Sequence, residues 1–204
     1  IYVKRFDGVR WIELGAGSAS GGGISNSPNQ AGSPVLRIAP NGNIIVAWQD
    51  SAAAPTNQIY VKKYDGTSWA AFSPGSATGG GISNTPGDSA KPDMVLDSNG
   101  YPIIAWWDVS SGNREIYMKR YNGAAWVELA GSATGGGISS NADNSLYPSI
   151  ALDSQENPII VWEDDTGVGP PNIYGKRYNG GSWVELGSGS ASGSGISTAP
   201  ESSY

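Results

Sequence analysis

The feature that most constrains this chain is a repeat of roughly 57 residues. The segment IYVKRFDGVRWIEL at Ile1 returns as IYVKKYDGTSWAAF at Ile59, IYMKRYNGAAWVEL at Ile116 and IYGKRYNGGSWVEL at Ile173. Those starts lie 58, 57 and 57 residues apart. GGGIS at Gly21 recurs at Gly79 and Gly135, then as GSGIS at Gly193. A third element, NIIVAWQD ending at Asp50, recurs as YPIIAWWD ending at Asp108 and NPIIVWED ending at Asp164. Repetition at this scale calls for a structural unit that is completed by its neighbours.

Each unit reads as four short strands. Strand a begins at a proline, Pro34, Pro92 or Pro148. Strand b is the Ile-Ile-x-x-Trp run, apolar on both faces, as expected of a strand covered on both sides. Strand c is IYVKRY-like. An Asp-Gly or Asn-Gly turn, which supplies positive φ at low cost, leads into strand d, WVEL-like. No stretch sustains a helical apolar period, so almost no helix is expected. Four antiparallel strands recurring at this spacing predict an all-β chain, a β-propeller built of four-stranded antiparallel blades. A sandwich or a solenoid is the alternative; one aromatic per strand and one long connection per four strands favour the propeller.

The chain opens at strand c, so it holds about three and a half blades of one propeller, or of part of one. A half blade (strands c and d) plus loop covers 1–33, blades cover 34–91 and 92–147, and a blade with its terminal loop covers 148–204. The half blade is expected to find its missing strands in a longer array or in another chain, because open strand edges favour association.

Composition removes several chemistries. There is no Cys and no His, hence no disulfide, no thiol nucleophile, no imidazole base and no Ser-His-Asp triad. No metal site and no cofactor is expected. A net charge of −6, with 12 Lys and Arg dispersed along the chain, does not suit nucleic acid. No apolar run approaches the roughly 18 residues that span a bilayer. Low charge with abundant Gly, Ser and Thr fits an extracellular or cell-surface location.

The d-to-a and b-to-c loops share one face of the disc, where binding is expected. On that face Asp50, Asp108 and Asp164 each end a strand b. They are candidate anchors for a sugar or a cation; the blander reading is that each caps the N–H groups of its own loop. Acids on separate blades do not make a paired-carboxylate hydrolase site, which needs about 5–9.5 Å between carboxyls, and no catalytic residue is assigned. Trp107 replaces Gln49 and Glu163 at its repeat position, so the repeat does not require it, and it is the candidate exposed contact. The remaining tryptophans of strands b and d read as packing between blades. The GGGIS stretches lack the helix and the Gly-Lys-Ser/Thr of a phosphate loop. They read as bends that let an isoleucine plug the apolar layer. Pairing Phe6 with Trp11 sets Lys4 opposite Glu13, Lys119 opposite Glu128 and Lys176 opposite Glu185, with Lys62 opposite Ala71.

These motifs together cover the whole chain. The pattern P-x-I-x-L-D-x-x-G-x-P-I-I-A-W-x-D, I-Y-V-K-R-Y-D-G-x-x-W-V-E-L, G-S-A-S-G-G-G-I-S resembles the long-bladed β-propeller repeats of large exported prokaryotic surface proteins. It is similar at the level of fold to sialidase-like and tachylectin-like propellers. The sialidase Asp-box is not reproduced, since Asp97 precedes Trp106 by nine positions and Ala39 takes its place in the first unit. Near-identical repeats and the lack of a catalytic set lead to the expectation of a non-enzymatic module with a structural or assembly role in a surface array, adhesin or filament. Its expected partners are other copies of itself or adjacent propeller repeats. The alternative is a multivalent, lectin-like module binding surface glycans, and a less favoured one is a glycoside hydrolase or lyase.

Overall fold

The computed structural model describes residues 1–52, 55–165 and 170–197. Fourteen strands follow in chain order: β1 (Lys4–Phe6), β2 (Trp11–Glu13), β3 (Ala31–Ile38), β4 (Ile44–Asp50), β5 (Gln58–Tyr64), β6 (Trp69–Ala71), β7 (Ser89–Leu96), β8 (Pro102–Asp108), β9 (Glu115–Tyr121), β10 (Trp126–Val127), β11 (Asn144–Leu152), β12 (Pro158–Asp165), β13 (Asn172–Tyr178) and β14 (Trp183–Glu185). Among the described residues there is no helix. The strands form one two-stranded sheet, β1-β2, and three four-stranded sheets, β3-β4-β5-β6, β7-β8-β9-β10 and β11-β12-β13-β14. All neighbours pair antiparallel and in sequence order, which makes each four-stranded sheet a propeller blade and β1-β2 half of one.

The chain divides into two compact units, Ile1–Ala90 and Lys91–Tyr204. The first holds the half blade and the β3–β6 blade. Its core gathers Val3, Leu14, Ile24, Val46, Trp48 and Tyr60. The second, with β7 starting at the boundary, holds the other two blades around Ile103, Met118, Ile138, Ile160, Trp162 and Tyr174. In every blade the strand b tryptophan stacks on the strand c tyrosine. Ring centroids lie 6.0 Å apart for Trp48–Tyr60, 6.5 Å for Trp106–Tyr117 and 6.4 Å for Trp162–Tyr174.

The hairpin register is the one the turn chemistry dictates. Lys4 faces Glu13, Lys62 faces Ala71 and Lys176 faces Glu185. Asp7 Oδ1 accepts the N–H groups of Val9 and Arg10 at 2.8 and 2.9 Å, and Asn122 Oδ1 accepts those of Ala124 and Ala125 at 3.0 and 2.9 Å. An Asx side chain thus closes the turn while Gly8 and Gly123 take φ of 101° and 95°.

Strand a departs from expectation. It begins before the proline, at Ala31, Ser89 and Asn144. The residue ahead of each proline, Ser33, Lys91 or Tyr147, has φ of 49°, 54° or 48°. The ladder slips between Gly32 and Val35 and between Leu146 and Ser149. Proline has no N–H to give the ladder, and a bulge carries the strand past it.

The long d-to-a loop is held by two recurring devices. A serine, Ser18, Ser76, Ser132 or Ser190, donates its hydroxyl to the strand c carbonyl of Val3, Val61, Met118 or Gly175 at 2.8 to 3.0 Å. The last glycine of each GGG or GSG run lies on another strand c carbonyl. A Cβ on Gly23, Gly81, Gly137 or Gly195 would sit 2.1 to 2.3 Å from the oxygen of Ile1, Ile59, Ile116 or Ile173. With φ near +60° as well, only glycine fits. The isoleucine that follows is buried at Ile24, Ile82 and Ile138.

Adjacent blades within each unit are fastened by side-chain donors. In the first, Lys62 Nζ donates to the Ile24 carbonyl at 2.7 Å and Trp69 Nε1 to the Leu14 carbonyl at 2.6 Å. In the second, Lys176 Nζ donates to Ile138 at 2.7 Å and Trp183 Nε1 to Leu129 at 2.8 Å. The strand c lysine therefore serves the neighbouring blade. The glutamate across from it holds its own loop instead. Glu13 accepts the N–H groups of Gly17 and Ala19 at 3.1 and 3.0 Å, and Glu185 those of Gly189 and Ala191 at 2.9 and 3.1 Å.

Candidate functional site

The Trp-x-Asp that ends strand b puts indole and carboxylate on the same side of the strand, since residues i and i+2 share a face. Trp48, Trp106 and Trp162 donate Nε1–H to Oδ2 of Asp50, Asp108 and Asp164 at 2.9, 3.4 and 3.3 Å. Each carboxylate accepts further bonds. Asp50 accepts from Ser27 Oγ at 2.6 Å and Ala52 N at 2.9 Å. Asp108 accepts from the backbone N–H of Ser110 at 2.8 Å and from its hydroxyl. Asp164 accepts from Asn141 Nδ2 at 2.6 Å and Ser145 Oγ at 2.9 Å. All three carboxylates are buried, each in its own blade with its own partners. Buried acids hydrogen-bonded in this way tie strand b to the surrounding loops.

Opposite each of these acids stands the first residue of strand c, and this column differs from repeat to repeat. Asp50 faces Gln58, Asp108 faces Glu115 and Asp164 faces Asn172. Gln58 Nε2 donates to the carbonyls of Thr85 and Gly87 at 3.0 and 2.9 Å, and its Oε1 accepts from Ser83 Oγ and Thr85 N at 2.7 and 3.0 Å. Glu115 cannot donate in this way. The corresponding carbonyls, Asn141 and Asp143, are served by Asn113 Nδ2, which also donates to Glu115 Oε1 at 2.8 Å. Ser139 Oγ and Asn141 N complete the partners of the Glu115 carboxyl. Asn141 thereby bridges two acids of neighbouring blades, its backbone N–H on Glu115 and its side chain on Asp164. Burial pushes the Glu115 carboxyl above its ordinary value; its hydrogen bonds pull the other way and the charge of Asp164 adds to the rise.

Beside this network lies an aromatic and basic patch. Trp107 is half-buried against the core of the second unit, and the Arg114 guanidinium stands 5.1 Å from its ring centroid. Arg114 and Asn144 are joined through backbone N and side-chain Oδ1 at 3.2 Å. The residue singled out as an exposed contact thus sits on the loop-bearing end of β8, stacked by a cation and neighboured by amide side chains. The sequence did not single out Arg114, Asn113, Glu115 or Asn141. The one signal that marks Glu115 is its divergence from Gln58 and Asn172 in an otherwise regular column. In the first unit a cavity of about 300 Å³, lined by Arg5, Glu13, Gly15, Gly42, Tyr64 and Gly66 among others, contains none of the candidate residues. Among the described residues no group of three acids is placed to hold a metal ion.

No protein-family profile matches the sequence, and no curated protein matches it significantly. Its fold is similar to that of several solved structures. An ulvan lyase of polysaccharide lyase family PL25 aligns with a TM-score of 0.56 at 14% identity, over 88% of this chain and 46% of the lyase. An endo-arabinase from Bacteroides thetaiotaomicron aligns at 0.53 and 14% identity, over 86% of this chain and 66% of the enzyme. An α-L-arabinanase of Penicillium chrysogenum aligns at 0.50 and 15% identity, over 76% and 48%. The chain spans about half to two thirds of the length of these proteins. The likeness shows the β-propeller fold. It also overturns the expectation of a non-enzymatic structural module, because these three aligned propellers are those of enzymes. Repetition weighed against catalysis only on the assumption that it extends to every position. Here Gln58, Glu115 and Asn172 show that the scaffold repeats while the loop ends diverge.

Proposed function

We propose that this chain is part of a carbohydrate-active β-propeller that acts on a polysaccharide, with glycoside hydrolysis or lyase cleavage as the reaction class. The observation that carries the reading is the fold likeness to arabinan-degrading and ulvan-degrading enzymes over up to 88% of the chain. The loop-bearing end of the second unit supports it. Arg114, held beside the half-buried Trp107 ring, offers a planar donor to a carboxylate or sulfate on a charged sugar, and Asn144 offers its amide N–H to a hydroxyl. Asp108 and Asp164 support that end of the second unit as buried, hydrogen-bonded carboxylates.

The test is a panel of arabinan, mannan and ulvan, with reducing-end release and the ultraviolet absorbance of unsaturated products as readouts. Binding is measured in parallel by calorimetry. Trp107→Ala and Arg114→Ala are each expected to weaken polysaccharide binding about tenfold or more, the loss of one stacked or charged contact. A wild-type protein that neither binds nor cleaves any of these would refute the assignment. A binder without turnover would favour the lectin-like reading, for which the same patch supplies the contacts.

A further inference from the structure

Besides the columns of Trp107 and Glu115, a third departs from the repeat, and it lies on strand a. Ser33, Lys91 and Tyr147 each precede the strand's proline, with φ of 49°, 54° and 48°. Residues with a Cβ seldom take this conformation, and for a bulky one it is strained. In the d-to-a loops a similar φ is met with glycine, at Gly23, Gly81, Gly137 and Gly195. On strand a the chain instead holds three different side chains where glycine would be at ease. At Tyr147 the β11 ladder also bulges, and a bulge re-aims the side chain it carries.

In the second unit two of these side chains meet. Lys91 Nζ stands 6.0 Å from the centroid of the Tyr147 ring. Tyr147 is 53% exposed, and Lys91 is exposed as well. Both belong to complete blades, at the loop-bearing start of β7 and β11. The two strands are joined beside this pair by Asp93. Its carboxylate accepts the N–H of Met94 at 2.8 Å and, across the seam, that of Ile150 at 3.0 Å. The other repeats have Val35 and Ser149 at this position, with no carboxylate to reach across. A second cationic residue is anchored just ahead of Tyr147. Arg114 donates its backbone N–H to Asn144 Oδ1 at 3.2 Å, and its carbonyl accepts the N–H of Ser145 at 2.7 Å.

We infer that the seam between β7 and β11 is a subsite for an anionic sugar unit. Lys91 receives a carboxylate or sulfate, and the Tyr147 hydroxyl, which both donates and accepts, engages the hydroxyls of the same unit. The strain at both positions is the cost of presenting these side chains to a ligand. This subsite rests on the polysaccharide reading above and narrows it to charged chains.

The test compares ulvan, desulfated ulvan, ulvan with its carboxylates reduced to alcohols, and neutral arabinan, by calorimetry at low and high salt. The wild-type protein is expected to bind ulvan at least about tenfold more tightly than arabinan, with the preference shrinking as salt rises. The modified ulvan that loses affinity identifies the anion Lys91 receives. Lys91→Gly and Tyr147→Gly should each weaken ulvan binding about tenfold while the melting temperature holds or rises, because glycine relieves the positive φ. A merely structural side chain would instead lower the melting temperature when removed. Lys91→Gly should leave arabinan binding unchanged, and Tyr147→Phe, which loses only the hydroxyl, should weaken ulvan binding several-fold. A wild-type protein that binds neither these polymers nor mannan overturns the polysaccharide reading and the subsite together. One that binds arabinan as tightly as ulvan, or whose folded glycine variants bind ulvan unchanged, overturns the subsite alone.

Discussion

The Gln58 site and the Glu115 site are the same corner built twice. Both sit at the start of strand c, both face a strand b aspartate, and both hold the loop that leads to the next strand a. In the first, one neutral side chain both donates and accepts. In the second, a carboxyl accepts only, and Asn113 takes over the donation. The backbone is preserved while the electrostatics change. The neutral corner costs little to bury. The charged one carries a raised proton affinity and is linked through Asn141 to a second acid. A repeat can thus acquire an ionisable centre through two compensating changes, Thr56 to Asn113 and Gln58 to Glu115, without disturbing the sheet.

Deleting the corner side chain should have the largest effect. Glu115→Ala strands Ser139 Oγ, Asn141 N and one Asn113 N–H in a buried site. It is expected to cost about 2–4 kcal/mol in urea denaturation, against about 1–3 kcal/mol for Gln58→Ala. Equal costs would mean that the charge adds nothing to the difference between the corners. Cutting the bridge comes next. Asn141→Ala removes the Asp164 contact and leaves the backbone contact to Glu115, and should cost about 1–2 kcal/mol.

The smallest effect is the most specific. Because the folded carboxyl of Glu115 binds its proton more tightly than the unfolded one, the protonated form favours the fold. That contribution is fully present below the ordinary value of 4.5 and is lost as pH rises through the raised folded value. Asn113→Thr/Glu115→Gln, which copies the Gln58 corner, should abolish this part of the pH dependence. The melting temperature of the wild-type protein should fall relative to the double variant as pH rises across that window, and parallel profiles would remove Glu115 as its source.

The elements legible in the sequence are those whose causes are local. Asp7-Gly8 and Asn122-Gly123 specify a tight turn, so the Lys4–Glu13 register follows from counting outward. Ile-Ile-x-x-Trp reads as a covered strand because it is apolar on both faces. The start of strand a was not legible, because the bulge depends on a positive φ at Ser33 and Tyr147, residue types that give no signal for it. The lysine partners were missed for a different reason. Cross-strand pairing set Lys176 against Glu185 and left Lys62 opposite Ala71, while burial in the seam brought a carbonyl of the adjacent blade within reach of both. Trp107 stands out in the sequence by its departure from the repeat, whereas Glu115 needed the structure to show that a modest substitution lies buried among acceptors and donors.

The seams carry a consequence for how such a chain can change in length. Within each compact unit, the later repeat brings the lysine and tryptophan fasteners and the earlier one the leucine and isoleucine carbonyls that receive them. Gain or loss of one whole repeat by recombination preserves a joint of this kind, whereas a cut elsewhere leaves a donor without its acceptor. Growth by entire modules is the cheap route, and the near-identity of neighbouring units is the trace such growth would leave.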